Sequence, residues 1–241
     1  LLNTKIFPLH MPNNQPQFGA FHNAIRGKEK ISVIAEIKRA SPSFGNFPER
    51  SVKNLVRAYE TAGAAALSVV TEATRFNGSI DLLKEMRSYT KLPILRKDFI
   101  RTIPQIDETV QAGANAILLI AHILTQAQIN ILANYAIRCG LDVLMEIYDE
   151  KDLAKTCQLC GQIIGINNRN LETLETDVGH ANKLIPKIEP YSTIVVESGF
   201  KTSKDLNQYA GKIDAVLIGT ALLASKSPFE TLTNFTHVSR T

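Results

Sequence analysis

The chain has 241 residues, 44% of them hydrophobic and 21% charged, with no low-complexity tract, a composition that excludes a disordered chain or an extended fibre. Its net charge of +4 is mild, with Lys and Arg interspersed among Asp and Glu, so no nucleic-acid partner is called for, although a basic cleft would favour a small anionic ligand. No apolar run reaches the roughly 18 residues of a membrane span, no signal-peptide pattern opens the chain, and Cys139, Cys157 and Cys160 do not make a disulfide framework; a cytoplasmic protein without membrane association is expected.

Residues 1–30 contain LHMPNNQPQFG and the short amphipathic piece FHNAIRG. They read as an N-terminal extension packing across one end of the main fold, residues 31–241. From residue 31 a rhythm begins in which apolar, β-branched runs alternate with stretches of helical period. The runs are 31–38, 65–70, 93–97, 116–120, 142–147, 163–168, 192–198 and 215–219. Helical patterns occupy 52–63, 81–90, 104–113, 125–140, 150–161, 178–188, 203–211 and 227–235. In the fourth, Ile129, Leu132, Ala133 and Ala136 follow the spacing of a one-sided helix. Two echoes, TAGAAALSVV and QAGANAILLI, repeat a helix, glycine, strand junction, and glycine suits the left-handed residue that ends many helices. Near-continuous apolar strands separated by crossover-length helices argue for a parallel sheet covered by helices. Eight such units in one domain predict a (β/α)8 TIM barrel rather than a doubly wound sheet.

In a barrel the chemistry lies at the C-terminal ends of the strands. Titratable and polar residues gather there: Glu36 and Lys38, Lys97 and Asp98, Glu146, Asn167 and Arg169, Glu197 and Ser198. The opposite ends supply nothing comparable. Glu36 and Lys38 are two apart on a strand and share a face, with Ile37 pointing away. Lys97 lies between Arg96 and Asp98 after an apolar run; a desolvated lysine beside another cation has a lowered pKa, suiting a proton donor or Schiff-base nucleophile. Glu146 follows Leu144 and Met145, a setting that raises a carboxyl toward the range useful for acid/base work. ESG at 197–199 and IGT at 218–220 close the last two strands, where backbone N–H groups frequently bind phosphate. Each of these charges alone could be a structural ion pair. Their recurrence at five strand ends favours a site.

Other features lead nowhere. Cys157 and Cys160 have C-x-x-C spacing but sit in a helical stretch without a second pair, and His10, His22, His122, His180 and His237 are scattered, so no metal is predicted. No nucleotide-binding glycine fingerprint is present.

The motifs AEIKRASPS, LRKDF, LLI, MEI, GINNRNLETLETD, ESGF and LIGTALL, in this order, resemble the indole-3-glycerol phosphate synthase family across about residues 31–225. The resemblance implies a lyase of tryptophan biosynthesis that closes the ring of 1-(2-carboxyphenylamino)-1-deoxyribulose 5-phosphate with loss of CO2 and water, using no cofactor. It implies Lys97 as general acid, Glu146 as acid/base in dehydration, and Glu36 and Asn167 as positioning and polarising groups. Lys38 would lie near the anionic groups with a proton-transfer role. Ser198, Gly199, Gly219 and Thr220, after Glu197, would hold phosphate, with Arg169 and Ser41 near the anionic ends; Phe76, Phe99 and Leu118 would hold the anthranilate ring. A monomer acting on a small phosphorylated substrate is implied, with association with other tryptophan-pathway enzymes left open. Two departures stand out: residues 1–30 are Pro-rich where the family usually begins with a charged helix, and Ala73, Thr74 and Arg75 stand where a more aromatic or basic sequence is expected. Thr220 replaces a more usual Ser or Glu. The related phosphoribosylanthranilate isomerase would need a Cys on the first strand, which is absent; a phosphate-binding barrel without catalysis is the rival of a different class, and the joint presence of Glu36, Lys97 and Glu146 speaks against it.

Overall fold

The computed structural model describes residues 16–156 and 163–240. Eight parallel strands close on themselves: β1 (Ser32–Ile37), β2 (Ala66–Val70), β3 (Ile94–Lys97), β4 (Ala116–Ile120), β5 (Asp142–Ile147), β6 (Ile163–Asn167), β7 (Thr193–Glu197) and β8 (Ala215–Ile218). Each pairs with its neighbours in sequence and β8 returns to β1 through Ser32↔Ala215, giving the expected barrel. Each apolar run expected to be a strand contains one of the eight.

The strands are buried on both faces because each face has its own apolar layer. Ile34, Leu95, Leu118, Leu144, Val195 and Leu217 fill the barrel interior. The alternating residues, among them Val33, Leu67, Ile117, Val143, Ile194 and Val216, pack outward against the helices. Those helices are α2 (Val52–Thr61), α4 (Ile80–Tyr89), α5 (Ile103–Ala112), α6 (Gln126–Arg138), α7 (Glu150–Thr156) and α9 (Pro228–Thr236), with short α3 (Ala73–Phe76) and α8 (Thr220–Ala224) beside the mouth. The stripe Ile129, Leu132, Ala133 and Ala136 is the buried face of α6. The two echoed glycines, Gly63 and Gly113, have φ of 88° and 84°, the left-handed conformation that lets the chain leave one helix and enter the next strand.

Two helices expected from periodicity form only 3-10 turns. The stretch expected over 178–188 breaks into His180–Lys183 and Ile185–Lys187, since Pro186 cannot donate the hydrogen bond that would join them. The stretch expected over 203–211 is the 3-10 segment Ser203–Tyr209, a short run containing Asp205 and Asn207, both weak helix formers. The last part of the 150–161 pattern, with Cys157 and Cys160, lies outside the described residues, as do His10 and the first half of the N-terminal extension.

The barrel floor is closed by α1 (Ala20–Ile25), whose Phe21 and Ile25 are fully buried and join the interior layer. The strands' N-terminal ends do hold two buried acids, each with a structural task. The Asp142 carboxylate accepts backbone hydrogen bonds from Gly19, Phe21 and His22 at 2.9, 2.9 and 3.1 Å, fixing the start of α1. Asp214 accepts from the Ile194 N–H at 3.0 Å and pairs with Arg240 at 2.8 Å. Among the described residues no helix is long and apolar enough to cross a membrane.

Three amide donors at a helix start would lose their acceptor in Asp142→Ala. With hydrogen bonds to a charged group contributing most, the loss is expected to be about 3 kcal/mol. For a chain of this size that lowers Tm by about 6–12 °C, measurable by calorimetry. An unchanged Tm would show that α1 is held by its apolar face alone.

Candidate active site

Strand parity brings the polar residues together. Moving two residues toward the C-terminus from the interior residues Ile34, Leu95, Leu144, Gly165 and Val195 gives Glu36, Lys97, Glu146, Asn167 and Glu197 on the same inward face, one layer nearer the mouth. They form the bottom of a cavity of about 620 Å3 at the C-terminal end of the barrel, a volume suited to a small organic ligand. All fifteen residues expected at the site line it: Glu36, Lys38, Ser41, Phe76, Lys97, Phe99, Leu118, Glu146, Asn167, Arg169, Glu197, Ser198, Gly199, Gly219 and Thr220.

The centre is Lys97. Its Nζ donates to Glu197 Oε2 at 2.8 Å and to Glu146 Oε2 at 3.3 Å. Beside it, Lys38 Nζ donates to Glu36 Oε1 at 2.7 Å and lies 5.8 Å from the centroid of the Phe47 ring. Asn167 extends the Lys97 cluster by donating from Nδ2 to Glu146 Oε1 at 3.1 Å, while its Oδ1 accepts from the Arg169 N–H at 2.9 Å. The adjacent Asn168 faces the other way, accepting from the Ala181 N–H and donating to the Ser198 carbonyl, so it ties the loops after β6 and β7 together.

The lowered lysine pKa expected for Lys97 is overturned. Burial alone would lower it, but Glu197, Glu146 and Glu36 outweigh burial and hold the ammonium well above its ordinary value. The neighbouring cation has no part in this, because strand alternation turns Arg96 outward: its guanidinium contacts Thr71, Thr109, Asp98 at 3.0 Å and Glu108 at 2.8 Å behind the barrel wall. Held as the ammonium at rest, Lys97 lacks the free amine that a Schiff-base nucleophile needs. The carboxyl that burial pushes up, to about 7, is Glu197, with Glu146 and Glu36 adding to burial and Lys97 opposing it. Its second oxygen, Oε1, is buried with no hydrogen-bond partner among the described residues. Burial also works to raise Glu36, yet Lys38, Lys97 and Arg169 together keep it below the usual carboxylate range.

Glycines make room for these carboxylates. A Cβ at Gly165 would lie 2.6 Å from Glu197 Oε1, and one at Gly219 would collide with Glu36 Oε1. At the end of β7 the backbone turns through two consecutive residues of positive φ, Ser198 at 70° and Gly199 at 93°. For a serine this is an uncommon conformation that persists only where its surroundings impose it. The apolar part of the lining is Phe76, Phe99 and Leu118, with Leu171, Leu174 and Val178, the last packed beside Gly199. Those last three, with Lys201, escaped the sequence reading: they sit in loops, where no strand parity marks the inward direction. Ser41 Oγ, expected near an anionic group, is buried at the cavity wall without a partner among the described residues. No group of three or more His, Cys, Asp or Glu capable of holding a metal occurs among the described residues.

A family profile described as indole-3-glycerol phosphate synthase matches residues 5–235. The chain belongs to the indole-3-glycerol phosphate synthase family. It is 40% identical over 206 residues to the indole-3-glycerol phosphate synthase of Staphylococcus aureus, covering 85% of this chain and 79% of that protein. It is 39% identical over 219 residues to the Thermococcus kodakarensis enzyme of the same name, covering 89% and 96%. A chain of the tryptophan synthase a2b2 complex from Pyrococcus furiosus superposes with a TM-score of 0.65 at 14% identity, covering 86% and 99%, a likeness of fold alone. Indole-3-glycerol phosphate synthases are carbon–carbon lyases of tryptophan biosynthesis, and the family thus joins this barrel to decarboxylating ring closure.

Two outcomes test the geometry. Gly219→Ala is expected to push Glu36 out of its place and to cut kcat by about 100-fold with the circular dichroism spectrum retained, as displacements of about 1 Å do in active sites. Wild-type turnover in that variant would show that the Glu36 position is not critical. Glu197 has a folded-state pKa raised from 4.5 to about 7, so its contribution to stability is fully present below pH 4.5 and is lost as pH rises through about 7. Stability measured against a Glu197→Gln variant should therefore fall for the wild type between pH 4.5 and 7.5, and a flat difference would refute the raised value.

Proposed function

We propose that this chain converts 1-(2-carboxyphenylamino)-1-deoxyribulose 5-phosphate into indole-3-glycerol phosphate, CO2 and water, with Lys97, Glu146 and Glu197 carrying the protons. The observation that supports this reading most directly is one half-buried ammonium shared by two buried carboxylates, at the base of a cavity lined by aromatic residues and by glycine turns.

The chemistry follows from the bonds. The ring carbon bearing the carboxylate attacks the ketone carbon, and the carbonyl electrons move to oxygen. That oxygen becomes a far stronger base than a ketone, so even an ammonium held above its ordinary pKa donates to it, and Lys97 serves as hydrogen-bond donor and then acid. Departure of CO2 returns the carbon–carbon bonding pair to the ring and restores its aromaticity. The new hydroxyl next leaves as water, which needs one more proton, while the adjacent CH2 gives up one to complete the indole. One proton in all is consumed from solution. Glu197, 2.8 Å from Lys97 and with a pKa of about 7, is matched to return a proton to Lys97 near neutral pH. Glu146, oriented by Asn167 and touching Lys97 through its other oxygen, is suited to the acid/base work of dehydration.

Glu36 and Lys38 form one wall. Their pair keeps Glu36 ionised beside the reacting centre and holds Lys38 over the cavity for the substrate's negative groups. Ser198, Gly199, Gly219 and Thr220 are read as the phosphate cradle, supported by the paired positive-φ turn after β7 and by the start of α8 immediately after Gly219. Phe76, Phe99 and Leu118 are read as the seat of the anthranilate ring, since they form the apolar wall. Arg169 and Ser41, a cation and an unpartnered hydroxyl, complete the anionic contacts.

The direct test is incubation of the purified protein with the ribulose phosphate substrate while indole fluorescence is followed. Product formation is expected, and a folded protein that binds phosphate but yields no indole would favour a barrel without catalysis. Lys97→Ala should lower kcat by about 1,000-fold or more with the fold intact, the scale of losing a positioned acid together with its electrostatic contribution. Near-normal kcat in that variant would remove Lys97 from the chemistry.

A further inference from the structure

Five cations line the cavity: Lys38, Arg75, Lys97, Arg169 and Lys201. Two are neutralised within the site, Lys38 by Glu36 and Lys97 by Glu146 and Glu197. Arg75, Arg169 and Lys201 are without a carboxylate partner among the described residues. The remaining acids at the wall are occupied: Asp98 pairs with Arg96 at 3.0 Å, and Glu72 accepts the N–H groups that open α3. The cavity thus offers uncompensated positive charge to a ligand that brings a phosphate and a carboxylate.

Arg75 is the cation set at the aromatic side. Its guanidinium carbon lies 6.0 Å from the centroid of the Phe99 ring, and Arg75 is itself the third residue of the short α3. Its backbone N–H donates to Glu72 Oε2 at 2.7 Å, so the base of the side chain is fixed while the head carries no hydrogen bond among the described residues. Phe76, the next residue, and Phe99 both belong to the wall assigned to the anthranilate ring. That ring carries its carboxylate on the carbon beside the amine, at the ring edge, where a guanidinium above Phe99 can reach it in a two-pronged pairing.

We propose that Arg75 is a substrate-recognition residue that pairs with the carboxylate of the substrate's aromatic ring. The inference rests on the function proposed above and deepens it. Its consequence is asymmetric: the carboxylate is lost as CO2, so the pair exists with substrate and is gone with product. Arg75 then strengthens substrate binding without holding product, and contributes to KM rather than to kcat.

The test uses two unreactive ligands, 1-(2-carboxyphenylamino)-1-deoxyribitol 5-phosphate and its phenylamino counterpart without the carboxylate, titrated against wild type, Arg75→Gln and Arg75→Lys. Arg75→Gln should weaken the carboxylated ligand by about tenfold and the other by less than about twofold, with Arg75→Lys recovering part of the loss. In turnover, the Gln variant should show raised KM at unchanged kcat and unchanged inhibition by product. Equal weakening of both ligands, or of neither, overturns the role of Arg75. A wild-type protein that binds neither ligand and forms no indole defeats instead the underlying assignment of function. Since Arg75 is exposed and its head makes no hydrogen bond or ion pair among the described residues, a melting temperature matching wild type separates either result from misfolding.

Discussion

A single lysine inside a barrel is tenable only if something compensates its charge, and the site grows from that requirement. Lys97 sits at the end of β3 with its ammonium between Glu146 and Glu197, and those acids come from strands two and four positions further round the sheet. An unpaired charge there would be strongly unfavourable, and so would an unpaired carboxylate. The cluster therefore stands or falls together. Its members also compete: burial and the neighbouring carboxylates Glu146 and Glu36 make Glu197 hold its proton more tightly than an ordinary carboxyl, up to about pH 7, which gives a buried ion cluster a group able to exchange protons near neutrality. The same cluster that threatens stability is the one to which the proposed function assigns the protons.

Around it the barrel separates two tasks by distance along each strand. The interior layer of Ile34, Leu95, Leu118 and Val195 is apolar and makes the wall rigid. One layer further toward the C-terminal ends stand the charges. Below, Asp142 and Asp214 use their carboxylates for backbone amides, so acids at the two ends of the strands do unrelated work. Small residues settle the fine positions. Gly165 and Gly219 leave the space that Glu197 and Glu36 occupy, and a methyl group at either would force the carboxylate to shift.

Much of this is legible in the chain because period-two alternation is a strong signal when both faces of a strand are buried. The eight runs identify the strands, and parity alone turns Glu36, Lys97, Glu146, Asn167 and Glu197 to one side. Parity also turns Arg96 away, and reading Arg96 as a neighbour of the Lys97 amine treats sequence adjacency as spatial adjacency. The pKa of Lys97 was out of reach for the same reason: Glu146 and Glu197, whose charge outweighs its burial, lie 49 and 100 residues away in sequence. Leu171, Leu174 and Lys201 line the cavity from loops, where direction depends on turns such as the Asn170 side chain accepting from Glu172 and Thr173 N–H groups, and no short-range pattern encodes it. The 3-10 turns after β6 and β7 mark a further boundary, since helical composition is present there but proline and short length prevent its propagation.

The floor formed by α1 has a consequence for traffic. Among the described residues, Phe21 and Ile25 pack into the apolar layer beneath the cavity and close it from below, so it opens at the C-terminal mouth as a well. Everything must cross the same rim: a doubly anionic reactant enters, while a neutral gas, a water molecule and a bulkier singly functionalised product leave. The order of departure is then set by size and charge at one doorway rather than by separate channels, and the rim residues act on arrival and exit alike.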